Sequence, residues 1–219
     1  MDDPAPPPPP EVVALRVAEA PEAWASAGFA VDDDGRCRIG GVVLDLVGPA
    51  AGQGVVGWSL RHLPLGAADA LDGFPTRASD EPPAEPATHP CGVTAVDHIV
   101  LLTDDLQRTV ESAGRIGLTP RRWRDHALPD GTPVRQAFIV VGELVLELVA
   151  PADRPPQPRP GVRSFGIALV CPDLARARDA LGSGLGDDRP AVQPGRRIAT
   201  VRHRGLGLRT PIALMTPRP

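Results

Sequence analysis

The sequence predicts an α+β fold assembled from one repeated unit: a strand, a helix and then three strands. Three observations carry that expectation. A strand-to-helix phrase recurs along the 219 residues, a strand of nearly fixed wording closes two of the units, and proline-rich stretches fall between them. A repeat of this length implies units that cannot bury their apolar faces alone and stack to do so.

The elements follow in chain order. Residues 1–10, with APPPPP at 5–10, read as a disordered tail, because proline lacks a backbone donor and stiffens the chain toward polyproline II. VVALRVAEAPEAWASA at 12–27 is an apolar run of strand length leading into helical spacing, and RIGGVVLDLVGPA at 38–50 supplies later strands. VGWSLRHLPLGAADAL at 56–71 repeats the strand-to-helix phrase more faintly. These two units form a degenerate half over 11–75, the second having lost its last strands to a proline-rich linker at 76–92. A full pair then fills 93–217. Its first unit, 93–152, opens with VDHIVLLTDDLQRTVESA at 96–113, where Leu106, Val110 and Ala113 make one apolar helix face. Its second, 161–217, opens with FGIALVCPDLARARDAL at 165–181 and follows a second spacer, DRPPQPRP at 153–160.

The closing strand is the strongest repeat. VVGELVLELVAPA at 140–152 lies over residues 38–50 at a constant offset of 102. Gly40, Val43, Leu44, Leu46, Val47, Pro49 and Ala50 meet identical residues, and Asp45 meets Glu147. TPIALMTP at 210–217 is a weaker copy in which Ala213 takes the Glu147 position.

Composition narrows the function. The net charge of −4 argues against a nucleic-acid binder, which draws affinity from a basic face. No apolar run reaches the roughly 20 residues that span a bilayer, and the opening MDDPAPPPPPEVV lacks signal-peptide character, so a cytoplasmic protein without membrane contact is expected. Cys37, Cys91 and Cys171 are odd in number and lack a CxxC pair, so all three are read as reduced.

Paired βαβββ units with a VDHI first strand and a last strand reading LELVAP resemble the vicinal oxygen chelate superfamily, which includes glyoxalase I, extradiol dioxygenases and bleomycin-resistance proteins. The resemblance is closest over 94–217. It implies that each pair of units forms one cup-shaped mixed sheet, the N-terminal copy being truncated. It also implies that an active member holds a divalent ion (Zn, Ni, Mn or Fe) with one side chain from the first and last strand of each unit. Those positions are His98 and Glu147 in the third unit, Gly166 and Ala213 in the fourth. Glycine and alanine cannot ligate, whereas a metal centre open to substrate needs about three protein ligands. His203 and His126 are candidates for a missing ligand; His62 and His89 are weaker ones. The degenerate half offers Asp45 alone, with Ala14 near the histidine position and Gly57 opposite Gly166.

Two readings follow. In one, a metal-free cup of the resistance-protein type binds a small, anionic organic ligand, with Trp123 and Phe138 holding its body and Arg135, Arg197 or Arg202 meeting its charge. Arg197 and Arg202 are five apart on alternating strands, so at most one lines the cup. In the other, His98, Glu147 and a third group hold a divalent ion in a lyase, isomerase or dioxygenase. A metal-free enzyme with His98 as base and Glu147 as its orienter is the intermediate case. Loss of ligands at 166 and 213 favours the cup, as a monomer or homodimer.

Overall fold

The computed structural model describes residues 8–64, 66–67, 70–128, 130–153 and 161–218. Most of the expected tail, 1–7, and most of the second spacer, 154–160, lie outside the described residues.

The first half contains β1 (Glu11–Val17), α1 (Pro21–Ser26), β2 (Arg36–Ile39), β3 (Val42–Leu46), β4 (Val55–Arg61), β5 (Ala70–Leu71) and β6 (Phe74–Ala78). Its strands form a six-stranded sheet in the order β2-β3-β1-β4-β6-β5. The second half contains β7 (Ala95–Thr103), α2 (Leu106–Arg115), β8 (Arg122–Ala127), β9 (Pro133–Val141), β10 (Leu144–Pro151), β11 (Val162–Val170), α3 (Leu174–Leu181), β12 (Arg189–Pro190), β13 (Arg197–Thr200) and β14 (Ile212–Met215). They form an eight-stranded mixed sheet in the order β12-β13-β14-β11-β7-β10-β9-β8.

Local sequence accounts for the elements. In β10 every second residue, Leu144, Leu146 and Leu148, is buried, while Val145 and Glu147 between them are half-buried on the other face. Helix α2 starts where the Asp105 carboxylate accepts the Arg108 amide at 3.0 Å, and it buries Leu106, Thr109, Ser112 and Ala113. Helix α3 repeats the device with Asp173. Each helix covers the apolar face of the strands around it, and the half-buried face opposite is where the expected site residues fall.

Strand register shows that the two units of the second half are related by a local two-fold. His98 pairs with Ala168 and Val100 with Gly166, so an offset of 68 carries each pair onto the other. Glu147 pairs with Val100 and Ala213 with Ala168, which puts Ala213 at the Glu147 position. Both central strands also slip: Asp97 in β7 and Phe165 in β11 have no partner across the ladder. These are β-bulges at equivalent places.

Two expectations need correction. No helix occurs among the described residues of 56–71; His62 takes a left-handed φ of 57°, and Pro64 and Gly66 follow. Nor does the second unit lose its last strands, because β6 runs through Ala78, pairs in parallel with β4, and is pinned by a Trp58 Nε1 to Thr76 Oγ1 hydrogen bond of 2.8 Å.

The linker is docked rather than loose. The Ala84 and Ala87 amides donate to Gly41 and Arg38 carbonyls at 3.0 and 3.1 Å, covering the open edge of β2. His89, which is 1% exposed, accepts the Ala30 amide at Nδ1 and meets the Arg38 carbonyl at Nε2, both at 3.0 Å. No helix among the described residues is long and apolar enough to cross a membrane.

Candidate functional site

The site starts from the bulge in β7. Neighbouring residues on a regular strand point to opposite faces. Because Asp97 is the extra residue of the bulge, its carboxylate reaches the ring of its own neighbour, and Asp97 Oδ2 lies 2.7 Å from His98 Nδ1. The other Asp97 oxygen, Oδ1, is 2.7 Å from Arg196 Nη2, with side chains 3% and 0% exposed. Arg196 is itself anchored, donating from Nε to the Thr216 carbonyl at 2.7 Å and from Nη1 to Gln193 Oε1 at 3.2 Å. Burial pushes the Asp97 carboxyl up, and hydrogen bonds from His98 and Arg196 more than offset it, leaving its pKa at about 2.

With Nδ1 engaged by Asp97, the His98 ring presents Nε2 to the site. That nitrogen is 4.0 Å from Glu147 Oε2, too far for a direct hydrogen bond. The Glu147 carboxylate accepts a short hydrogen bond at Oε1 from Gln136 Nε2. Burial raises the pKa of Glu147, opposed by the charges of His98 and Arg124 and the Gln136 bond. The result is one line of groups, Arg196, Asp97, His98, Glu147 and Gln136, in which an oriented imidazole faces a partly desolvated carboxyl. Such a pair can accept or donate a proton at a bound molecule or share a polar contact with it.

Among the ligand-binding candidates, only Phe138 lies here, directly across from Glu147 in the ladder. Trp123 and Arg135 stand one residue out of phase and face the helix side. There they line a hollow of about 450 Å³ with Leu106, Gln107, Arg124 and Asp125, and the Arg135 guanidinium is held by Asp125 at 2.8 and 3.0 Å. Arg197 also points to the helix side, forming an ion pair with Asp188. Arg202 donates to the Ser183 carbonyl at 2.8 Å, beyond the end of β13. The structure thus brings His98, Glu147 and Phe138 together and separates the other four. Sequence reasoning missed Asp97, Gln136 and the role of Arg196, although Asp97 stands inside the VDHI phrase.

The site does not fit a chelated divalent ion. His98 and Glu147 supply two donors, and Asp97 is committed to His98 and Arg196. Gly166 not only lacks a side chain but has no room for one, since a Cβ there would meet the Pro211 carbonyl oxygen at 2.6 Å. Neither His126 on β8 nor His203 beyond β13 completes the set. Among the described residues no group of three His, Cys, Asp or Glu side chains is arranged to hold a metal. In the first half, register puts Ala14, Asp45, Gly57 and Arg77 at the corresponding places, and Arg36 Nε engages Asp45 at 3.3 Å.

Curled mixed sheets with few helices, built from repeated strand-and-helix units, give the chain the vicinal oxygen chelate fold. Among solved structures it is similar to a mutant of 4-hydroxymandelate synthase from Streptomyces coelicolor, with a TM-score of 0.62 at 12% identity over 96% of this chain and 93% of that one. It is also similar to a xylose isomerase-like TIM barrel/4-hydroxyphenylpyruvate dioxygenase fusion protein, with a TM-score of 0.59 at 15% identity over 98% of this chain and 50% of that one. Methylmalonyl-CoA epimerase from Mycobacterium tuberculosis matches 58% of this chain and 91% of its own at 22% identity, with a TM-score of 0.42. No protein-family model matches the sequence, and no curated protein matches it.

Proposed function

We propose that the protein binds a small organic anion on the half-buried face around His98, Glu147 and Phe138, without a resident divalent ion. The observation that carries this reading is the donor set. The imidazole is oriented by Asp97 and the carboxyl is held by Gln136, but the two chelating places of the partner unit are Gly166 and Ala213, and the first of these is filled by backbone. What remains is a polar pair set among half-buried apolar side chains, the composition of a small-ligand site.

Elemental analysis of untagged protein purified without chelator, run beside His98→Ala, tests the proposal. The expected result is metal far below one ion per chain in both proteins, together with a thermal midpoint that small acids raise in the wild type. Near-stoichiometric metal in the wild type that disappears in His98→Ala would overturn it in favour of a metal-dependent lyase, isomerase or dioxygenase.

A further inference from the structure

We infer that Arg122 and Arg124 of β8 are the anion receptor of this face, and that the ligand is a small organic acid. Its oxyanion docks on the two guanidinium groups while its body lies over Phe138 toward His98. The inference rests on the proposed binding face and adds the residues that select the ligand and the part of it they hold.

Register carries the placement. Arg122 pairs with Phe138, Phe138 with Glu147, and Glu147 with Val100, which makes one row across four strands. Arg124 pairs with Gln136, and Gln136 with Val149, in the next row. Residues directly opposite in a ladder project to the same face, so both arginines leave β8 on the Glu147 face, unlike Trp123 between them and Asp125 beyond. Arg124 also borders the hollow at Trp123, but its charge acts on Glu147. Strands lie about 4.8 Å apart, so two strand spacings separate Arg122 from Glu147 by roughly 10 Å, a span suited to a short acid.

Several arginines of this chain are committed to carboxylates, and among the described residues these two are not. Arg36, Arg38, Arg61, Arg135 and Arg197 each have a carboxylate within 3.4 Å. Neither Arg122 nor Arg124 forms an ion pair among the described residues. Beside them, two buried polar atoms have no hydrogen-bond partner: Gln136 Oε1, on a residue 8% exposed, and His126 Nδ1 in the adjoining row. Buried polar atoms without partners carry a desolvation cost that a polar ligand would relieve. Two unpaired guanidinium forks match the planar oxygens of a carboxylate or the oxygens of a phosphate.

The test titrates the full-length chain with benzoate, phenyl phosphate and benzamide, following ring resonances of His98 and His126 by NMR. Arg122→Gln, Arg124→Gln and the double variant are compared with the wild type, and Arg135→Gln serves as a control from the helix side. Both acids should perturb His98 and His126, with benzamide at least tenfold weaker. Each single variant should lose about tenfold in affinity for the acids and the double variant on the order of a hundredfold, with Arg135→Gln unchanged. The tighter of benzoate and phenyl phosphate identifies the oxyanion. If benzamide binds as well as benzoate, or the double variant keeps wild-type affinity, the receptor assignment fails while the binding face stands. If none of the three perturbs His98, the binding face itself falls with it.

Discussion

At the scale of single residues, Asp97 separates His98 from an ordinary strand-end histidine. It fixes the ring by one oxygen and neutralises the buried Arg196 by the other. Asp97→Asn leaves that guanidinium without its counter-charge, and a urea titration should show a loss of about 3–5 kcal/mol, the range for breaking a buried pair. His98 and Glu147 stood out in the sequence because each sits in a repeated phrase, where the histidine has no counterpart and the carboxylate is kept as Asp45 in one copy and lost as Ala213 in another. Asp97 did not, since alternation places neighbours on opposite faces, and only the slip of β7 against β11 reverses that. The same limit applies to the arginines. Trp123 and Arg124 differ by one position, and which of them shares a face with Glu147 depends on pairing with β9, which no local pattern records.

At the scale of elements, the contact between β11 and the residue before β14 sets what the site can hold. Gly166→Ala would drive a Cβ into the Pro211 carbonyl at 2.6 Å and should cost about 1–3 kcal/mol, seen as a lower thermal midpoint. The docked linker has its own pH signature. Burial lowers the pKa of His89 below 6.5, opposed by its bond to the Arg38 carbonyl, and its Nδ1 must stay unprotonated to accept the Ala30 amide. A histidine whose folded pKa is depressed contributes stability above its unfolded value, which disappears as pH falls through the folded one. Thermal midpoints measured from pH 7.5 down to 5 should therefore fall, and His89→Gln should flatten that slope while lowering the plateau. The proline-rich composition of 76–92 revealed a connection between halves, whereas its grip on β2 depends on amides and carbonyls that every residue carries.

At the scale of the whole molecule, the two sheets are tied at several points and should unfold as one. Glu19 of the first half, 1% exposed, accepts the Arg209 amide at 2.8 Å and the Thr210 amide at a shorter distance through Oε1. Asp72, at a left-handed φ of 46°, reaches Arg108 at 2.9 and 3.1 Å and Thr109 at 2.6 Å in α2. Far- and near-ultraviolet dichroism should follow a single coincident transition in denaturant. Asp72→Asn keeps a residue that tolerates the backbone but removes the charge, and it should lower stability by about 1–3 kcal/mol without splitting that transition. The repeated wording of the strands made the overall plan readable, but these ties join residues 36 to 191 apart and have no sequence pattern. The Gly166–Pro211 contact has a consequence on a longer timescale. The Pro211 carbonyl that fills the side-chain space also accepts the Ile167 amide at 3.0 Å, so it cannot be moved aside freely. The contact acts as a ratchet: installing a chelating side chain at 166 takes at least two changes, the first of them harmful alone, while the open positions on β8 can be altered one at a time.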